Sequence, residues 1–311
     1  MTTPDDPPPR AMPILASRAW PDAQESSGQL KALYILRCHA LQQLSALLAK
    51  DGASLLLVKG AALAATHYAL PWARPMGDID VIVKPAELAR VRAALSRAGW
   101  FVIPAPDRPL TEHCLEVAVQ SPGSLGSILL ELHLGLDKVV VRQTDVSDLF
   151  ARAKPLADLP GLYVPSPEDH LLLIVLHLAS DEFRHLAGFV DLELLLSSGT
   201  DLDVVLARAR EWRATTPLYI ALKTLEVLRP GLVPPHVLAR LEPGRSHAAL
   251  LSTCFDIGSW PVARSPTELG WQWIARQTLL RDDSWHWIWG LGAYGARRAL
   301  ERARMRFSVS S

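Results

Sequence analysis

Two aspartates one residue apart, Asp78 and Asp80, stand at the head of the apolar run Val81-Ile82-Val83. Side chains alternate along a strand, so both carboxylates point to one face while Ile79 and Val81 point to the other. Carboxylates this close repel unless a cation lies between them. Mg2+, or Mn2+ in its place, suits the pair, because it takes oxygen ligands from one or two carboxylates and fills its shell with water and phosphates. A third acid on a neighbouring strand would complete a two-metal clamp for in-line phosphoryl or nucleotidyl transfer. Lys59 and Arg74 bring positive charge nearby, and Gly60 lets backbone N–H groups approach a phosphate.

The stretch that positions these groups is 55–83, read as strand, sharp turn, helix, loop, strand. Leu55–Val58 is long enough for a buried strand, Lys59-Gly60 breaks it, and Ala61–Tyr68 has helical composition. Pro71 and Pro75 end that helix and keep the chain extended. Gly77 permits a tight turn into Asp78. Further on, Ser127–Gly135 reads as a strand with apolar positions 128, 130, 132 and 134 on one face and Glu131 and His133 on the other. An acid on an otherwise greasy strand is costly to bury unpaired, which makes Glu131 the candidate third carboxylate.

Around this core the pattern predicts an amphipathic helix over 29–50, stopped by Asp51-Gly52, and another over 85–98, with Pro85 at its first turn and Gly99 past its end. Short strands are expected at 100–103 and 112–120. Beyond about residue 144 the character is helical, with segments at 145–153, 166–180, 182–196, 202–213, 217–228, 234–241, 247–255, 269–280 and 285–306, and a further short strand at Tyr163-Val164.

Several motifs are set aside. Asp201-Leu202-Asp203 repeats the aspartate spacing but follows Ser-Ser-Gly-Thr and precedes a helical run, which is an N-cap pattern. Gly290–Gly295 matches GxGxxG without a preceding strand or a following acidic partner. His170 and His177 are seven residues apart, too far for an i, i+4 zinc pair, and no cysteine joins them. His177 with Arg184 and Asp191 is a candidate lining for the acceptor side of a cleft; a helix-packing polar network is the competing reading.

Composition bounds the partners. The 311 residues are 49% hydrophobic and 21% charged, with 32 basic and 32 acidic side chains, so no global basic field argues for nucleic acid. Three scattered cysteines fit a reducing cytoplasm, and no run is long enough for a membrane span. A Pro-, Ser- and Asp-rich start reads as a disordered tail over 1–26.

The pattern strand–Lys59-Gly60–helix–Tyr68, then Arg74-Pro-Met-Gly77-Asp78-Ile-Asp80 and an apolar strand, then Glu131-Leu-His133, resembles the uncharacterised bacterial nucleotidyltransferase family of the DNA polymerase β-like superfamily. The likeness extends over about residues 30–200, including PEDHLLLIVLHLASDEFRHLAGFVDLELLL. The resemblance implies an α+β fold, with a small mixed sheet and flanking helices over 27–143, then a mainly helical domain over 144–311 covering the cleft. It implies Asp78, Asp80 and Glu131 as metal ligands and catalytic acids, with Mg2+ or Mn2+ as cofactor. Lys59, Gly60, Arg74 and Gly77 fall on the nucleotide (ATP-type) side, and His133 stands behind Glu131. The activity it implies is transfer of a nucleoside monophosphate from a nucleoside triphosphate to an acceptor hydroxyl of a small molecule, peptide or protein. One departure is that Lys59-Gly60-Ala61 stands where the superfamily has Gly-Ser. The alternative is a catalytically degenerate scaffold that binds a nucleotide or a partner protein.

Overall fold

The computed structural model describes residues 12–20, 27–102, 116–121, 128–135, 145–260, 262, 276–282, 288 and 292. Its centre is a seven-stranded mixed sheet of order β3-β4-β5-β2-β1-β7-β6. These strands are β1 Leu55–Leu57, β2 Asp78–Val83, β3 Phe101–Val102, β4 Glu116–Gln120, β5 Leu129–His133, β6 Lys154–Pro155 and β7 Leu162–Val164. Pairing is parallel between β2 and β5 and between β1 and β7, and antiparallel elsewhere. The sheet takes its last two strands from beyond residue 143, so it draws on both sides of the boundary expected there.

The period-two pattern divides the sheet into two unlike faces. Leu55, Leu57, Ile79, Val81, Val83, Val119, Leu130 and Leu132 share one face and one apolar cluster. Helices α2 (Ser27–Asp51) and α4 (Leu88–Arg97) close it, through Ala40, Leu41, Leu44, Leu48, Val91 and Leu95. Leu56 and Ile82 point the other way and join a second cluster built by the C-terminal helices. The acids lie on that same second face, with Asp80 two residues before Ile82.

The helical half comprises α5 Val146–Arg152, α6 Pro167–Ser180, α7 Leu186–Ser197, α8 Leu202–Glu211, α9 Thr215–Leu228, α10 Pro235–Leu241 and α11 Arg245–Cys254. Helix α6 is buried along most of its length, and Ser166 caps it by accepting from the Asp169 N–H. Asp201 caps α8 in the same way, accepting from the N–H groups of Asp203 and Val204. The second Asp-x-Asp is therefore a helix cap. Residues 12–20, inside the stretch expected to be disordered, are packed: Leu15 is buried before the short helix α1 (Ala16–Ala19). The cause is Glu193 of α7, which accepts from the backbone N–H groups of Ile14 and Leu15 and from Arg229. The expected helix over 285–306, the Gly290–Gly295 motif and most of 269–280 lie largely outside the described residues.

Candidate metal centre and nucleotide site

Strand register builds the site. In the parallel β2–β5 pair, Asp80 lies opposite Glu131, Asp78 opposite Leu129 and Ile82 opposite His133. Paired residues share a face, so Asp78, Asp80, Glu131 and His133 all project to the side away from α2 and α4. The carboxylate oxygens of Asp80 and Glu131 and a ring nitrogen of His133 lie within 4.8 Å of one another, close enough to hold one metal ion. Asp78 is not part of that compact group. It begins the strand, two residues or roughly 6–7 Å along from Asp80, whereas register sets Glu131 directly alongside Asp80. His133, expected behind Glu131, instead reaches Asp80 itself.

Asp80 is the most tightly held member. Lys59 Nζ donates to its Oδ1 at 2.6 Å, and His133 Nε2 lies 2.8 Å from the same oxygen. An ionised carboxylate only accepts, so Nε2 is the protonated ring nitrogen in this contact. Glu131 Oε2 is 3.7 Å from that nitrogen. Burial alone would raise the Asp80 pKa. The hydrogen bond from His133 and the charge of Lys59 outweigh it and hold the carboxyl well below the usual range. Asp78 goes the other way: burial and the neighbouring Asp80 charge push its pKa up. Two acids two residues apart are thus driven in opposite directions, a signature of sites that handle charge.

Lys59 is placed by backbone geometry. The Val58 N–H donates to the Asp80 carbonyl at 3.0 Å, extending the β1–β2 ladder to the point where α3 (Lys59–Thr66) begins. Lys59 then takes a φ of +51°, the left-handed region that side chains with a Cβ enter at a cost of about 1–2 kcal/mol. The special conformation of the Lys-Gly turn falls on the lysine. Gly60 is closely approached instead, since a Cβ there would sit 2.9 Å from the Met76 side chain. Gly77, by contrast, has nothing within 4 Å of a Cβ position, so space is open beside Asp78.

Arg74, expected near the phosphates, lies beside Gly60 and is bonded to the helical half. Its Nε and Nη2 donate to Asp191 of α7 at 2.9 and 2.8 Å, and Nη1 donates to the Pro75 carbonyl at 2.5 Å. Tyr68 Oη donates to the same aspartate at 2.9 Å. Burial works to lower the Arg74 pKa, yet Asp191 more than offsets this and keeps the guanidinium charged; burial and Asp191 together push the Tyr68 hydroxyl up. Asp191 therefore ties the loop before Asp78 to the helical half. The other two residues expected on the acceptor side have different neighbours: His177 lies 3.5 Å from Asp181, and Arg184 lies 3.4 Å from Glu182. A residue the pattern did not single out is Arg37 of α2, which donates from Nη2 to the Met76 carbonyl. It falls among the apolar positions of α2, which was the available signal.

A mixed sheet that sets two carboxylates and a histidine side by side on adjacent parallel strands, with a lysine at the start of the helix after β1, makes an α+β fold with a candidate metal site. The chain belongs to a nucleotidyltransferase family: the family model described as "Uncharacterised nucleotidyltransferase" matches residues 18–230. No curated protein matches the chain. Among the described residues, no helix is long and apolar enough to cross a membrane.

Proposed function

We propose that the protein transfers a nucleoside monophosphate from a nucleoside triphosphate to an acceptor hydroxyl, releasing pyrophosphate, with a divalent cation at Asp80 and Glu131. The observation that carries the reading is the Asp80–Glu131 register, which puts two carboxylates from different strands on one face beside His133. The donor set fits a divalent ion: two carboxylates suit Mg2+ and Mn2+ alike. Asp78, at the open end of β2, is the further carboxylate available to such an ion. When bound, the ion would neutralise charge on the phosphates and orient the reacting oxygens.

The chain's own groups do the rest. Lys59 and His133 keep Asp80 ionised, so the carboxylate stands ready as a ligand rather than as an acid. Lys59 begins α3 with its side chain 20% exposed, so its ammonium can also meet a phosphate oxygen. Asp191 fixes Arg74, and with it the loop that aims Asp78. Glu131, less buried than Asp80, faces the side where an acceptor enters.

The test is direct. Purified protein incubated with each labelled nucleoside triphosphate, Mg2+ or Mn2+ and a pool of acceptors releases pyrophosphate on this account, and Asp80→Asn does not. A wild-type protein that binds nucleotide but releases no pyrophosphate with any acceptor would point to the binding scaffold instead.

A further inference from the structure

Among the described residues, four basic side chains lie around the aspartates, and three of them are bonded to a carboxylate. Arg74 makes a two-pronged contact with Asp191, Lys59 bonds Asp80, and His133 bonds the same oxygen. The fourth is Arg37, and its situation is different. It is only 7% exposed, yet no carboxylate pairs with it among the described residues. Of the five N–H donors a guanidinium carries, Nη2 donates to the Met76 carbonyl, while Nε is shielded from solvent and has no acceptor.

A buried charge with one neutral hydrogen bond is an expensive arrangement, because buried charges are ordinarily paired. Bracing a single carbonyl requires a donor and no charge at all. The location gives the charge a purpose. The carbonyl it reaches belongs to Met76, two residues before Asp78, whose charge acts on Arg37 through the intervening space. Gly77, between them, leaves space unfilled. An anion entering over Gly77 would meet the free donors of a planar fork that matches phosphate oxygens, in a setting where water competes poorly.

We propose that Arg37 is the phosphate-gripping arginine of this site, taking the terminal phosphates of a nucleoside triphosphate that enters beside Asp78. The assignment deepens the nucleotidyl-transfer reading and rests on it for the identity of the ligand. It also accounts for the absence of a hydroxyl in Lys59-Gly60-Ala61: the grip comes from α2 rather than from the turn.

Calorimetric titration of the full chain with inorganic tripolyphosphate, and separately with Mn2+, tests it. Arg37→Gln keeps a donor for the Met76 carbonyl and removes the charge. The expected result is a loss of at least roughly tenfold in tripolyphosphate affinity with Mn2+ affinity unchanged. Equal tripolyphosphate affinity in Arg37→Gln, an equal loss of both affinities, or no tripolyphosphate binding by the wild type would each overturn the assignment. A measurement on the wild-type protein covers a variant that fails to fold: the Nε–H resonance of Arg37, assigned by its loss in Arg37→Lys, should move on titration with tripolyphosphate, and a stationary resonance would overturn the assignment. If tripolyphosphate binds through Arg37 while no triphosphate yields pyrophosphate, the transfer reading fails and the anion contact stands.

Discussion

The buried aspartates Asp191, Asp169 and Asp80 solve the same problem in two different ways. Asp191, 2% exposed, is met by both prongs of Arg74 and by the Tyr68 hydroxyl. Asp169, fully buried, is likewise gripped by Arg152 and Arg208. Asp80, 6% exposed, is held instead by a lysine and a histidine, with Asp78 and Glu131 close by. Bidentate arginine is a fixed partner, whereas a flexible ammonium and an imidazole can yield to another cation. The lesson is that a buried charge alone does not mark a functional site. Compensation by exchangeable partners, beside further acids, does.

The comparison breaks most sharply in activity. Asp80→Asn should lower pyrophosphate release by roughly 10³-fold or more. A variant that transfers nucleotide at the wild-type rate would place the chemistry elsewhere. The structural aspartate should behave in the opposite sense. Asp191→Ala strands the Arg74 guanidinium, and denaturant unfolding should show a loss of about 3–5 kcal/mol. A loss under 1 kcal/mol would mean that Arg74 finds water or another partner.

His170 sharpens the contrast from the helical side. It is 2% exposed, and burial, with the nearby His67, pushes its pKa down to about 3. The unfolded chain takes up the proton near pH 6.5 and the folded chain does not, so stability falls as pH drops below about 6.5. Unfolding at pH 7 and pH 5 should differ by about 2 kcal/mol from this group. His170→Leu should reduce that difference by the same amount; an unchanged pH slope would mean His170 titrates normally. The smallest effect belongs to the second Asp-x-Asp. Asp201→Ala should cost about 1 kcal/mol through the lost α8 cap, with pyrophosphate release untouched. Reduced catalysis in that variant would show that aspartate spacing alone had been misread.

Much of this arrangement was legible from period and punctuation. Alternation along 127–135 put Glu131 and His133 on the face opposite Leu130 and Leu132, and register then set Glu131 beside Asp80. Asp201 was legible as a cap because its neighbours are cap residues. What escaped was whatever depends on distant pairing. Arg74 and Asp191 are 117 residues apart, and nothing local to either names the other. Arg37 and Met76 are 39 apart, and the place of Arg37 among the apolar positions of α2 does not name its partner. The break at Lys59-Gly60 was legible, but not that the left-handed conformation falls on Lys59, which bonds Asp80. Strands β6 and β7 join the sheet through the β1–β7 pair, whose partners lie far apart in the chain, a pairing that no local pattern encodes.

The central claim is that Asp80 and Glu131 form a divalent-cation site, and Mn2+ binding followed by electron paramagnetic resonance tests it without any assumption about substrate. The account predicts that the wild-type chain binds Mn2+ at neutral pH and that Asp80→Asn and Glu131→Gln each weaken binding by at least roughly a hundredfold, while Asp201→Ala does not. Mn2+ affinity that survives both substitutions, or a wild-type protein that leaves Mn2+ free, would contradict it.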